Sequence, residues 1–181
     1  MTEPLTSAEF AVLRQTIALR GTARMVIVPL TCLGWAVLTL VLLIYGGPPV
    51  ATVVSLAVLV GGFEAVHALH VGAERIGRYV QVYYEALPEG PRWETAVMTV
   101  GPALPGGGID PLFSVVFVGM AIVNIVPALI PFPTRLEIGV IGLVHVGFVF
   151  RVVRARVAAS RQRAVELESF KAMQLRQRAT G

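Results

Sequence analysis

Apolar residues dominate four stretches of the chain, at positions 25–45, 50–69, 112–130 and 136–153. Each stretch is close to the ~20 residues that an α-helix needs to cross about 30 Å of hydrocarbon. A Gly-Gly-Pro-Pro turn at 46–49 separates the first two stretches, and a Pro-Phe-Pro turn at 131–133 separates the last two. The pattern therefore predicts an all-α membrane protein, a four-transmembrane-helix bundle made of two hairpins that a loop at 74–111 connects.

The segments on either side of this 25–153 transmembrane domain also have helical patterns. In residues 1–24, Thr6 and Glu9 have the spacing of a capping box, and Phe10, Leu13 and Ile17 share one face. This predicts an amphipathic helix on the cytoplasmic membrane surface. The tail at 154–181 lacks proline and is rich in good helix formers, which predicts a long cytoplasmic helix.

Charge supports the membrane assignment and gives an orientation. Only 14% of residues are charged and the mean hydropathy is +0.74, whereas soluble domains carry about 25% charged residues. All of the fifteen Lys and Arg residues except Arg135 fall in the N-terminal segment, the middle loop or the tail. The positive-inside rule then places both termini in the cytoplasm, in a bacterial-type inner or plasma membrane. Because the basic residues flank apolar segments, they indicate contact with membrane lipids. We expect no nucleic acid partner.

The second apolar stretch ends in a stripe of polar residues that share about a third of the helix circumference. Its members are Glu64, His67, His70, Glu74, Arg78, Gln81 and Glu85. The first two precede the end of the apolar run, at a depth where ionisable groups usually face a cavity, a bundle interior or a partner. The stripe is therefore the main candidate site in the sequence.

Three interpretations of the stripe follow. Glu64, His67 and His70 have the i, i+3 spacing of metal ligands on inward-facing helices, so they are the candidate metal or proton site. Other intramembrane ligands would have to be Glu137 and His145, but His145 lies about 12 Å away from His67 in depth, by the rise per residue. The alternatives are a docking stripe that includes Glu74, Arg78, Gln81 and Glu85, and an ordinary interfacial rim. No cofactor is predicted; the alternative prediction is that the chain binds a metal ion.

Other polar and small residues in the spans predict helix packing. His145 is expected to be a hydrogen-bonded core histidine, and Asn124 to bond across helices, with Pro127 kinking the third span. Gly61 and Gly62 in the second span, like Gly139 and Gly142 in the fourth, predict close helix approach.

No complete catalytic motif is visible, and the glycine run at 106–108 lacks the Lys-Ser/Thr of a phosphate loop. The first hypothesis is a non-enzymatic integral membrane subunit or self-associating module, a homo-oligomer or part of a larger membrane complex. The second is an oligomeric ion or proton transporter or channel that uses Glu64, His67 and His70. The third is a metal-dependent membrane enzyme.

Overall fold

The computed structural model describes residues 3–85, 92–100 and 110–180. The predicted all-α class is confirmed, since the described residues are 89% helical and contain no strand. The helices are α1 Glu3–Tyr45, α2 Thr52–Tyr83, α3 Trp93–Val100, α4 Ser114–Val123, α5 Val126–Leu129 and α6 Arg135–Thr180, and a 3₁₀ turn at Pro49–Ala51 precedes α2. The glycine run at 106–108 lies outside the described residues.

Three helical stretches are long and apolar enough to cross a membrane: Ser7–Tyr45, Pro49–Tyr83 and Arg135–Gln177. The segment predicted as the third of four spans forms a shorter apolar stretch, Ser114–Leu129. It is divided between α4 and α5 at Asn124 and Ile125. Pro127 lies in the first turn of α5, where a missing backbone N–H costs no helical hydrogen bond.

The predicted surface helix at 1–24 and the predicted span at 25–45 form one continuous helix, α1. Arginines at the predicted boundary do not end a helix, because they do not break the backbone conformation, and α1 continues even through Pro29. α1 ends instead at the Gly-Gly-Pro-Pro turn, where Gly46 has a φ of 71°. The predicted span at 136–153 and the predicted helical tail likewise form one helix, α6.

Two compact units divide the chain. The apolar unit contains Arg24–Ala68 and Asp110–Val157, and its core is built from side chains of α2, α4 and α6 around Phe63. Phe117 and Phe148 meet Phe63 edge-on, with ring centroids 5.4 and 6.0 Å away. Such edge-to-face pairs are favourable beyond the area they bury.

Contacts within the apolar unit define the helix directions. Thr31 of α1 faces Gly62, whereas Gly34, further along α1, faces Val58, so α1 is antiparallel to α2. α4 is also antiparallel to α2, because Phe117 contacts Phe63 while Asn124, seven residues later, contacts Ser55. α6 advances in the same direction as α2.

The polar unit contains Met1–Ala23, Leu69–Ile109 and Ala158–Gly181. Phe10, Tyr79, Tyr84 and Phe170 form an aromatic cluster from α1, the end of α2 and α6. Phe10, Leu13 and Ile17, predicted to share one face, are all half-buried. Within this unit too, α6 is parallel to α2.

Candidate functional site

The stripe residues in the apolar unit contact Arg151 of α6. The Arg151 Nη2 donates to Glu64 Oε2 at 2.7 Å and lies 3.4 Å from His67 Nδ1. The guanidinium also stands 5.8 Å from the ring centroid of Phe63. These contacts form because α2 and α6 run in parallel and present the two charges at one level. The Glu64 carboxylate thus has an intramolecular cationic partner, Arg151.

The stripe residues in the polar unit form ion pairs with the second half of α6. Arg78, whose side chain is 5% exposed, contacts Glu166 and also donates to Glu74 at 3.1 Å. Arg163 donates to the same Glu74 carboxylate, and Arg75 to Glu166 at 3.2 Å. Removing one member of a buried pair costs about 3–5 kcal/mol, because it leaves an uncompensated charge. The Arg78 cluster therefore holds α2 against α6.

Glu85 ends the stripe and binds a different element. Its carboxylate accepts backbone hydrogen bonds from Glu94 at 2.6 Å and Thr95 at 2.7 Å, as well as the Thr95 hydroxyl at 2.8 Å. These amides belong to the first turn of α3, where an anion satisfies unpaired N–H groups and faces the positive end of the helix dipole. Glu85 thus caps α3, although it precedes Glu94 by nine residues in the sequence. His70 is buried and Gln81 half-buried.

Glu94 itself is half-buried against α1. Arg14 donates to its carboxylate at 2.5 Å. Burial raises the pKa of Glu94, the nearby Glu85 and Glu74 carboxylates raise it further, and Arg14 opposes them. Arg14 is therefore the group in this contact that opposes the upward shift of the Glu94 pKa.

A second polar cluster lies in the interior of the apolar unit, and it involves every long helix there. Trp35 Nε1 of α1 donates to Asn124 Oδ1 at 3.0 Å, and Ser55 Oγ of α2 donates to the same oxygen at 2.6 Å. Asn124 Nδ2 donates to the Thr52 carbonyl at 2.9 Å and lies 3.0 Å from His145 Nε2 of α6. Asn124 and Ser55 are fully buried.

The predictions that Asn124 bonds across helices and that His145 is a hydrogen-bonded core histidine are confirmed. His145 Nδ1 lies 2.7 Å from the Ile141 carbonyl. Trp35, Thr52 and Ser55 were missed, although Thr52 and Ser55 stand one turn apart in an apolar segment, which is a detectable signal. The layer of Ser55 precedes His67 by twelve residues, about 18 Å of helix, so His145 and His67 occupy different levels.

In the part of the chain that the structure describes, no group of three or more His, Cys, Asp or Glu side chains is arranged to hold a metal ion. Glu137, a possible additional ligand by sequence, instead forms a capping box at the start of α6. Its carboxylate accepts from the Thr134 backbone N–H and hydroxyl, both at 2.8 Å.

Of the four glycines predicted to allow close helix approach, Gly62 does so. A Cβ at Gly62 would stand 2.8 Å from Thr31 Cβ, whereas one at Gly61, Gly139 or Gly142 would meet no atom within 4 Å. α2 therefore approaches α1 through Gly62, and the other three glycines lie in open space. Comparisons with protein families, with curated proteins and with solved structures found no match to this chain.

Proposed function

We propose that this chain is a non-enzymatic integral membrane protein that works by association, beginning with a second copy of itself. In this proposal it crosses the bilayer four times, has both termini in the cytoplasm and resides in a bacterial-type inner or plasma membrane. The observation that carries the proposal is an uncharged, exposed stripe along α1.

The charged side chains in the first half of α1 contact their own fold. Arg14 binds Glu94, Arg24 donates to the Pro111 carbonyl at 3.4 Å, and Glu9 accepts from the Tyr79 hydroxyl at 3.3 Å. Arg20 packs against Gly72 of α2, and its guanidinium occupies the space that a side chain at position 72 would need. A helix facing water normally has the opposite arrangement, with its charges outward.

The outward face is left to uncharged residues spaced three or four apart. They are Ala8, Val12, Gln15, Leu19 and Thr22, followed by Val26, Leu30, Leu33, Val37, Leu40 and Ile44, and all eleven are exposed. We call these eleven residues the α1 stripe. Leu19 is 63% exposed and Leu33 62%. The Thr22 hydroxyl donates to the Ala18 carbonyl of its own helix. The side-chain amide of Gln15 is therefore the main polar group of the stripe that can bond to another molecule.

In the proposed topology, lipid covers the part of the α1 stripe from Val26 to Ile44. The part from Ala8 to Thr22 lies outside the hydrocarbon, so lipid does not cover it. A 3–4 spacing of exposed apolar residues is typical of a helix that packs along another helix. Two copies inserted in the same orientation would align their α1 helices in parallel, with each residue opposite its equivalent. Gln15 would then meet Gln15 of the second copy, and a buried polar pair of this kind fixes register.

The size of the stripe is adequate for a dimer. The part of the stripe from Ala8 to Thr22 covers about 21 Å of helix in the polar unit, the part from Val26 to Ile44 covers about 27 Å in the apolar unit, and each is roughly 10 Å wide. The corresponding strips of two copies together give about the ~1,000 Å² that a biological interface needs. The interface would be narrow and would depend on its whole length.

The helix directions support four crossings. α2 and α6 are parallel, so the chain between them has to return across the bilayer, and Ser114–Leu129 is the apolar segment available to do so. It has sixteen residues, about 24 Å of helix, and adjoining residues would complete the crossing. Single-cysteine labelling in a Cys32→Ala background tests this: Arg135→Cys should react from outside and Ser169→Cys only from inside.

Light scattering of the purified protein in mild detergent tests the association. The wild type should have the mass of a dimer, and Leu19→Glu should give a monomer, because burying a leucine contributes about 1.5–3 kcal/mol per copy. Leu175→Glu is the matched control, since Leu175 of α6 is 66% exposed but lies outside the stripe. Gln15→Cys should form an intermolecular disulfide in the Cys32→Ala background, whereas Ser169→Cys should not. A monomeric wild type, or a dimer that Leu19→Glu leaves intact, contradicts the proposal.

The paired state of the stripe on α2 favours association over conduction. Glu64 contacts Arg151, and Glu74 contacts Arg78 and Arg163, so these carboxylates are neighbours of fixed cations. An ion or proton pathway would need these carboxylates free to bind another cation, and each already contacts one or two cations within the chain. The transporter and metal-enzyme alternatives are tested by proton flux in liposomes and by elemental analysis of the purified protein.

A further inference from the structure

An open groove of about 410 Å³ runs between α2 and α6 on the surface of the apolar unit. Its walls include Val53, Ala57 and Val60 of α2 and Val144, Gly147 and Arg151 of α6. The groove exists because Ala57 and Gly147 are small where the two helices diverge, and no atom lies within 4 Å of a Cβ built at Gly147. Its volume is within the ~300–1,000 Å³ that is common for small-molecule sites.

Arg151 is the one charged residue among those that line the groove. Its side chain is 41% exposed, and its contacts to Glu64 and His67 in the described chain both use Nη2. A guanidinium has five N–H groups in a planar fork, so the other nitrogens can donate to a second anion, and this geometry matches phosphate oxygens.

The groove is polar at one end and apolar at the other. Val144 lies seven residues before Arg151, about 10 Å along the helix, and Val53 lines the groove on the α2 side. In the topology proposed above, on which this step rests, the Arg151 end is toward the inner headgroups and the Val144 end toward the bilayer centre. An inner-leaflet phospholipid has the same polarity, with its phosphate at the interface and its acyl chains inward.

We infer that the groove is a binding site for an anionic phospholipid of the inner leaflet. The acyl chain lies along Ala57, Val144 and Gly147, and the phosphate accepts hydrogen bonds from Arg151. A soluble phosphorylated ligand would leave seven apolar lining residues uncovered, whereas a lipid covers both parts of the groove. Arg151 then has two anionic neighbours, Glu64 and the phosphate.

Native mass spectrometry of the full chain, equilibrated in mild detergent with equal amounts of phosphatidylglycerol and phosphatidylcholine, tests the inference. The wild type should retain phosphatidylglycerol in preference. Gly147→Leu, which fills the groove, should weaken retention by about tenfold, because the new side chain occupies the space of the acyl chain. Gly139→Leu is the matched control, because a Cβ there also meets no atom within 4 Å and Gly139 does not line the groove.

A second variant separates the head-group contact from the fold. Glu64→Gln with Arg151→Gln removes both charges and leaves no unpaired ion, and it should abolish the preference for phosphatidylglycerol while some lipid remains bound. The inference is overturned if Gly147→Leu retains as much phosphatidylglycerol as the wild type, or if the double variant keeps the preference for phosphatidylglycerol. A loss of dimer mass in Gly147→Leu also overturns it. Lipid retention in detergent does not depend on orientation, so a failure of the topology would appear in cysteine labelling and not here.

Discussion

The Asn124 side-chain amide nitrogen lies 3.0 Å from His145 Nε2, and this contact fixes the proton of the buried imidazole on Nδ1. The amide orientation follows from its other partners, because the Trp35 indole N–H can only donate to Oδ1 and the Thr52 carbonyl can only accept from Nδ2. His145 Nε2 must therefore accept. Its Nδ1–H donates to the Ile141 carbonyl. A neutral imidazole with one defined tautomer thus connects α6 to the break between α4 and α5.

Asn124→Leu should destabilise the protein by roughly 1–3 kcal/mol, since it leaves the Trp35 N–H and the buried His145 Nε2 without the partner that Asn124 provides. Denaturant titration in detergent micelles measures the change. Ile122→Leu is the control, because Ile122 is 60% exposed and its replacement conserves volume. Equal stabilities of the two variants would show that the Asn124 contacts contribute nothing net.

Gly62→Ala should destabilise the apolar unit by about 1–3 kcal/mol, the usual cost of overpacking. A Cβ at this position overlaps Thr31 Cβ, which is attached directly to the backbone and cannot rotate away. The adjacent Gly61→Ala should be neutral or stabilise by up to about 1 kcal/mol through helix propensity, since its Cβ meets nothing. Thermal unfolding of the two variants in one detergent compares them, and the opposite order would contradict the packing described.

Arg151→Gln alone should cost more stability than Glu64→Gln with Arg151→Gln. The single variant leaves the Glu64 carboxylate without its 2.7 Å partner inside an apolar helix, whereas the double variant removes both charges. Unfolding free energies of the two single variants and the double variant form a double-mutant cycle. A coupling energy indistinguishable from zero would mean that the pair is fully screened by its surroundings.

Asp110 should stabilise the start of α4 in a pH-dependent way. Its carboxylate accepts from the Leu112 N–H at 3.1 Å and the Ser114 N–H at 2.7 Å. Burial raises the pKa of Asp110, but hydrogen bonds from Ser114 and Leu112 outweigh burial and hold the pKa below its ordinary value of 3.8. Because the folded pKa is the lower one, the stabilisation is complete above about pH 3.8 and is lost as the pH falls through the folded pKa.

Asp110→Asn should therefore cost about 0.5–1.5 kcal/mol at neutral pH, because the amide nitrogen cannot accept one of the two backbone N–H groups that the carboxylate binds. The difference between wild type and variant should shrink as the pH is lowered below about 3.8. Stability measured from pH 7 to pH 3 tests this. A difference that is constant over the range would exclude the carboxylate charge as its origin.

Glu85→Ala should loosen α3 without unfolding the spans. The two backbone amides that Glu85 accepts from lose their partner, so hydrogen exchange at Glu94 and Thr95 should accelerate about tenfold or more. Glu85→Gln, which retains one acceptor oxygen, should give an intermediate rate. Unchanged exchange in both variants would show that α3 is held by other contacts.

The sequence predicted the elements well because their signals are local. Apolar length predicted the spans, and the turns at 46–49 and 131–133 contain the prolines and glycines that end helices. The division of α4 from α5 was partly predictable from Pro127. Local signals did not show that the helix continues across residues 20–24, because arginines there predict a membrane boundary and carry no signal that ends a helix.

The partners of the polar stripe were less predictable, because they depend on the register between α2 and α6. Spacing places Glu64 and Arg78 on one face, yet nothing local indicates that Arg151 meets the first and Glu166 the second. The same holds for the α1 stripe. Its apolar residues are evident in the sequence, but their exposure appears only once Arg14, Arg20 and Arg24 are seen to contact their own fold.

The parallel pairing of α2 and α6 also has a consequence for biosynthesis. Glu64 and its cation Arg151 are separated by 87 residues, so the carboxylate is translated long before its partner. At about 5–20 residues per second, Arg151 emerges roughly 4–17 s later. During that interval Glu64 is without the cation that it contacts in the folded chain, so α2 has to be inserted before its ion pair with α6 can form.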